Sequence, residues 1–254
     1  IMAYTTIDKS SLHFNTKPYT GTASSNALTG INFQPDWVWI KRRDGTYNHN
    51  LYDAVRGVTK EINSNNNNAE STVAQGLTAF GTDGFTLGSD DQSNASGDTF
   101  VAWNWKAGTG QGSSNTDGTI NTTYTSANTT AGFSIIKYTG SGSAGTVGHG
   151  LGVTPDLTIR KKISTTGDWF VHTTLIDSSL DFLKLNTTDA KSNSSLTGFT
   201  SSTIGVDGDS SQEILYVFAQ KKGYSKFGTY TGNGNADGTF VYTGFKPAFV
   251  LQKR

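Results

Sequence analysis

The chain has 254 residues, only 16% of them charged, and its formal net charge is zero. A neutral chain has no field that attracts nucleic acid or an anionic membrane surface, so we expect it to bind neither. The absence of cysteine excludes a disulfide framework and a thiolate metal site. No apolar run approaches the roughly 20 residues that span a bilayer, so we expect no membrane insertion.

The chain alternates short aromatic or β-branched runs with stretches rich in Gly, Asn, Ser and Thr. The first run, from Leu12 to Tyr19, is followed by a second from Ile31 to Lys41, and a third runs from Phe100 to Lys106. Short strands separated by turns in this way are typical of antiparallel β-sandwiches. The sequence therefore predicts an all-β fold made of jelly-roll-like sandwiches, with at most one short helix between Ile176 and Leu185.

A ten-residue pattern with a proline in third place occurs three times. Proline fixes φ and lacks an N–H, so at the start of a strand it sets the boundary without removing a ladder bond. A Tyr-Thr-Gly tripeptide precedes each copy, and the prolines follow its tyrosines by 16, 17 and 17 residues. The three copies are Phe33 to Arg42, Val153 to Lys162 and Phe245 to Arg254.

This repeat predicts tandem modules. A first β-sandwich module is expected at residues 1–106, and a second at 132–222. Between them, residues 107–131 have the composition of a linker, although they could also add edge strands. Residues 223–254 supply either the opening strands of a third module or the closing strands of the second, and a full third module could follow in the parent protein.

The first copy of the pattern is apolar on both faces. Trp37 and Trp39 share one face of the strand, and Val38 and Ile40 share the other, because side chains alternate along a strand. A two-sheet sandwich buries only one face of each sheet. The second face of this strand is therefore expected to meet the neighbouring module or another subunit.

Three stretches resemble a repeated module found in structural proteins of marine tailed phages: INFQPDWVWIKRRDG, NTTAGFSIIKYTGSGSAGTVGHGLGVTPD and FAQKKGYSKFGTYTGNGNADGTFVYTGFKPAFVLQKR. The resemblance covers essentially the whole chain. It implies a non-enzymatic virion protein in a tail fibre or other fibre-like appendage, with a jelly-roll sandwich similar to concanavalin and laminin-G domains. It also implies a homotrimer with other virion proteins as partners. The segment Leu157 to Arg160 departs from the pattern, where a more apolar strand is expected.

No motif predicts a catalytic, cofactor-binding or metal site. Residues 140–145 satisfy GxGxxG, but the glycines and proline that follow favour a loop over the helix that a dinucleotide needs. The glutamates have no carboxylate two residues away, as paired glycosidase acids would. The cluster Asp90, Asp91 and Asp98 could hold calcium, although solvated loop acids are the simpler interpretation.

An alternative function is carbohydrate binding in host recognition. Three aromatic residues lie outside the alternating core pattern and could stack on sugar rings, although packing in the core or at a subunit interface is the other interpretation. They are Tyr47, Tyr52 and Trp169. The loops Asn63 to Gln75 and Asp90 to Asp98 would also contribute to a glycan site, since loops vary without disturbing the core.

Overall fold

The computed structural model describes residues 5–254, so the first four residues of the predicted first module lie outside the described residues. The structure is almost entirely β, which confirms the predicted fold class. The first half contains β1 (Phe14–Thr20), β2 (Asn26–Leu28), β3 (Trp37–Arg42), β4 (His49–Asp53), β5 (Lys60–Asn63), β6 (Ser71–Thr72), β7 (Leu77–Gly81), β8 (Gly84–Leu87), the short helix α1 (Asp91–Asn94) and β9 (Thr99–Trp105).

The second half contains nine more strands: β10 (Tyr124–Asn128), β11 (Phe133–Thr139), β12 (Gly145–Gly148), β13 (Leu157–Lys162), β14 (Phe170–Thr173), β15 (Asp181–Lys184), β16 (Ser192–Asn193), β17 (Thr203–Val206) and β18 (Gln212–Phe218). β10 is an edge strand in the segment for which we expected a linker or edge strands. The short helix considered between Ile176 and Leu185 is wrong, since residues 176–179 form turns and bends and residues 181–184 form β15, which pairs with β14. Residues 223–254 contribute no strand.

The two large sheets have the same strand order. In the first half the order is β1-β9-β3-β4-β5-β6, and in the second it is β11-β18-β13-β14-β15-β16, with β10 added at the edge. Each half also has a small sheet, β2-β8-β7 in the first and β12-β17 in the second. All of these pairings are antiparallel, and the closing strand (β9 or β18) always lies between the opening strand (β1 or β11) and the strand that follows the proline (β3 or β13).

Three apolar cores separate four layers. One core lies between the small and large sheets of the first half and contains Val38 and Ile40. A second lies between the sheets of the second half. The third, central core contains Trp37 and Trp39 from β3 together with Ile159 and other residues of the second half, so the two large sheets face each other. β3 is therefore covered on both faces, as predicted, and the second face is covered by the same chain.

Replacing Trp37 with alanine should reduce the free energy of unfolding by about 3–5 kcal/mol, because the indole fills the core that both halves share. Its Nε1 has no hydrogen-bond partner in the described part of the chain, so packing supplies its contribution. Urea denaturation followed by circular dichroism measures the change. Trp103→Ala is the matched control, since Trp103 lies on the same face of the neighbouring strand but is only half-buried. Equal losses for the two variants would contradict the central role of Trp37.

Candidate functional site

The junction between the two large sheets is aromatic. The ring of Trp37 stacks on Tyr216 of β18, with centroids 4.2 Å apart and planes inclined by 16°. Trp37 also contacts Trp105 at 4.4 Å and Phe133 of β11 at 5.8 Å. Such ring pairs add specific geometry to the burial of large apolar surfaces, so the junction fixes the relative position of the halves.

A buried ion pair lies beside these rings. The Arg56 guanidinium donates to Asp53 at 2.5 Å, and neither side chain is exposed to solvent. The Tyr216 hydroxyl, from the other half, donates to the same carboxylate at 2.7 Å. Burial alone would lower the pKa of Arg56, but Asp53 and the other neighbouring oxygens raise it. Arg56 therefore stays charged, and Asp53 connects the two halves through a hydrogen bond.

Two aspartates bind the backbone of the segments that follow the closing strands, a role that was not predicted from the sequence. Asp36 follows Pro35 and is fully buried, and its carboxylate accepts from the backbone N–H groups of Ala107 at 2.8 Å and Gly110 at 2.7 Å. In the second half, Asp156 follows Pro155 and accepts from the N–H of Gln220 at 2.7 Å. Each carboxylate thus holds the segment that leaves the closing strand. The repeated Pro-Asp dipeptide was the available signal.

The second half contains a buried ion pair at positions where the first half has apolar side chains. Arg160 and Glu213 occupy the register positions that Ile40 and Phe100 hold in the first half. Arg160 donates to both oxygens of Glu213, with Nη2 2.7 Å from Oε1, and the Tyr138 hydroxyl donates to Oε2 at 2.5 Å. Arg160 also pairs with Asp207 at 2.6 Å. The departure at Leu157 to Arg160 is therefore accommodated by pairing the buried charge.

His172 lies next to this pair and beside the rings of Phe170 and Phe182, whose centroids are 6.1 and 5.8 Å away. Burial, and then the positive charge of Arg160, lower the pKa of His172 to about 4. The imidazole is therefore neutral at neutral pH.

Two of the three residues proposed to contact sugars are inaccessible. Tyr52 and Trp169 are both fully buried. The Tyr52 hydroxyl donates to Glu61, and the Trp169 Nε1 donates to the carbonyl of Asn63 at 2.9 Å. A ring that stacks on a sugar needs an open face, so these two assignments are wrong, and core packing is the correct interpretation.

Tyr47 is the exception, because 43% of its surface is exposed. The guanidinium of Arg42 covers one face of the ring at 4.4 Å from the centroid. Arg42 is itself fixed by Asp44 and Asp98, each 2.7 Å away. Tyr47 is therefore the one of the three predicted residues that is accessible to a glycan.

The loops named for glycan binding are occupied by contacts within the chain. Glu70 donates its backbone N–H to Ile163 at 2.9 Å, and Asn67 accepts from Gly167 at 2.9 Å, so the loop Asn63 to Gln75 lies against the second half. In the loop Asp90 to Asp98, Asp90 caps α1 by accepting from Ser93. Within residues 5–254, no group of three or more His, Asp or Glu side chains is placed to hold a metal ion.

The predicted loop at residues 140–145 is confirmed, since it joins β11 directly to β12 without a helix. In the described part of the chain, no helix is long and apolar enough to cross a membrane. A further surface feature of the first half is a groove on the face of its large sheet that is directed at the central core.

This groove has a volume of about 280 Å³ and lies beside Trp39, His49 and Trp103. Phe249, from the segment without strands, covers part of it, with ring centroids 5.3 Å from Trp105 and 5.5 Å from Trp103. At its floor the Trp39 Nε1 donates to His49 Nδ1 at 3.0 Å. The groove is thus an aromatic surface that the second half leaves uncovered.

The low pKa of His172 predicts that acidification destabilises the fold. The unfolded state takes up a proton near pH 6.5 and the folded state only near pH 4, so stability is lost as pH falls between these values. The loss from this residue should approach about 3 kcal/mol. His172→Phe keeps an aromatic ring beside Phe170 and Phe182 and should flatten this part of the pH profile, as measured by urea denaturation at pH 4.5 and 7.5. Parallel profiles for the two proteins would contradict the assignment.

Comparison with known proteins gives one match. Neither a search of curated proteins nor a search of solved structures found a protein similar to this chain. A family model described as a domain of unknown function, DUF7483, matches residues 9–254. This match covers almost the whole chain and includes both halves and the segment that follows them. The chain belongs to the DUF7483 family.

Proposed function

We propose that this protein is a non-enzymatic structural component of a phage virion, a fibre-like appendage built from repeated β-sandwich modules. The observation that carries the proposal is the junction between the large sheets, which have the same strand order and pack face to face. The buried charge of Asp53 and Arg56 is used to join the halves. A chain whose central core joins two sheets of the same strand order is suited to building an extended assembly.

The chemistry of the polar clusters favours assembly over turnover. Glu213 accepts from Arg160 and Tyr138, and Asp53 accepts from Arg56 and Tyr216. Each of these two carboxylates is buried and accepts three hydrogen bonds from the protein, which supports a structural role over one in acid–base catalysis. The placement in a virion rests on the resemblance to repeated modules of marine phage structural proteins.

The homotrimer is a separate proposal, and its support has changed. The second face of β3 was expected to meet either the neighbouring module or another subunit. It is covered by the second half, and Trp37 is only 1% exposed in the single chain. The resemblance to fibre proteins still supports a trimer. Other exposed apolar residues, such as Phe240 and Tyr242, are available for contacts between copies.

Quantitative mass spectrometry of gradient-purified phage particles tests the main proposal. The protein should be present in a fixed ratio to the major capsid protein, and immunogold labelling of intact particles should place it on an appendage. An unrelated soluble protein from the same lysate is the control for carry-over. Accumulation of the protein in the lysate without any in the particles would overturn the proposal.

Carbohydrate binding in host recognition is the second candidate, and Tyr47 is the observation that favours it. Arg42 covers one face of its ring and 43% of the residue is exposed to solvent, so part of an oriented aromatic ring is available to a sugar. Binding to host surface polysaccharide should be lost in Tyr47→Ala and retained in Tyr242→Ala, which removes another exposed tyrosine ring. Glycan arrays and pull-down with host polysaccharide measure it. Equal binding by the two variants would exclude Tyr47 as the contact.

A further inference from the structure

The segment of residues 223–254 repeats the opening of each half in sequence but not in structure. Its Tyr-Thr-Gly at 230–232 and its proline at Pro247 align Phe249 with Trp37 of β3 and Leu157 of β13. The segment forms no strand, and Phe240 and Val250 are largely exposed. The repeated pattern thus forms buried strands in its first two copies but no paired strand in the third.

The strand order explains this difference. In both large sheets the closing strand lies between the opening strand and the strand after the proline, so these two strands are never neighbours. Residues 223–254 correspond to the opening strand and the strand after the proline, and they include no counterpart of β9 or β18. Without that strand the two segments have no shared partner for their backbone N–H and C=O groups.

The position of Phe249 shows where such a unit lies. Trp37, Leu157 and Phe249 are equivalent positions of the three repeats, and all three side chains pack in or against the central core. Phe249 contacts Trp103, Trp105 and Phe14, the last at 6.0 Å, on the part of the first large sheet that the second half leaves uncovered. Phe249 therefore already contacts the central core, as the equivalent residues Trp37 and Leu157 do.

The other face of this segment supports the same conclusion. Val250 aligns with Val38, which is completely buried between the two sheets of the first half, whereas Val250 is 74% exposed. Val250, which would enter the interior of a third sandwich, is therefore exposed to solvent. One difference from the first two repeats is that Ala248 stands where Asp36 and Asp156 hold the segment after the closing strand.

We propose that the aromatic surface formed by Phe14, Trp39, Trp103 and Trp105 is the docking surface for a third β-sandwich module, the one that residues 223–254 begin. The three modules then meet around one aromatic core, with Trp37, Leu157 and Phe249 as its equivalent contributions. Because residues 223–254 belong to this chain and Phe249 already lies on the surface, docking of a module that they begin is favoured over docking of another copy. This arrangement holds whether or not the protein is part of a virion.

The existing chain allows a first test. Trp103 is the most exposed of the five tryptophans, so quenching of tryptophan fluorescence by acrylamide reports mainly on its surroundings. Phe249→Ser should increase quenching, since it uncovers Trp103, whereas Phe240→Ser, at an exposed phenylalanine, should leave it unchanged. Equal quenching in Phe249→Ser and the unmodified protein would overturn the contact on which the proposal rests.

The second test completes the third module. Arg254 aligns with Lys162, so a second copy of residues 163–222, carrying Trp169→Phe, is appended directly after Arg254. We expect amide hydrogen exchange in residues 249–252 to slow by about tenfold or more, as for a paired strand, and acrylamide quenching to fall below that of the unextended chain. Phe249→Ser in the extended chain should reverse the fall in quenching. An extension with residues 43–106, whose first residue follows Arg42, provides an independent version judged by hydrogen exchange alone.

Three outcomes would overturn the proposal. Exchange in residues 249–252 that stays fast in both extended chains would show that no third sheet forms. Slow exchange with unchanged quenching would show that a third module forms but does not dock on this surface. Dimers of the extended chain in sedimentation equilibrium, or insolubility of both extensions while the original chain is soluble, would show that the surface does not accept this module within one chain.

Discussion

Each large sheet of this protein has two apolar faces, and a two-layer sandwich can cover only one of them. In the first half Val38 and Ile40 face the small sheet, while Trp37 and Trp39 face outward. Burial of apolar surface is the dominant favourable term in folding. Packing the outward faces of the two large sheets against each other satisfies both sheets at once. The order of the four layers follows, with the large sheets inside and the small sheets outside.

Polar groups determine how these layers are aligned. A buried ion pair adds little net stability compared with apolar side chains, but breaking it leaves an uncompensated charge. Asp53 is satisfied by Arg56 of its own half and by Tyr216 of the other half, so sliding one sheet over the other would break a buried hydrogen bond. The aromatic rings supply most of the contact area, and this carboxylate selects one alignment.

The sequence predicted features that depend on local pattern. The proline boundaries, the alternation in β3 and the common strand pattern of the two halves could all be identified from spacing. Features that depend on distant contacts could not. Tyr52 pairs in register with Val38, which places it on a core face, but this pairing is not visible in the sequence. Likewise, alternation showed that Trp37 must be covered but could not show whether another module or another subunit covers it.

The same dependence on distant contacts means that the large sheet of each half is completed late in the chain. Phe14 at the start of β1 pairs with Trp105 at the end of β9, so the centre of the large sheet is incomplete until the last strand of the module is present. Long-range pairing of this kind is slow, and it leaves apolar strands exposed in the meantime. The finished first half presents an aromatic face on which Phe249 of the segment 223–254 lies. The large sheet that packs against the second half therefore also shields a side chain from a segment that forms no strand.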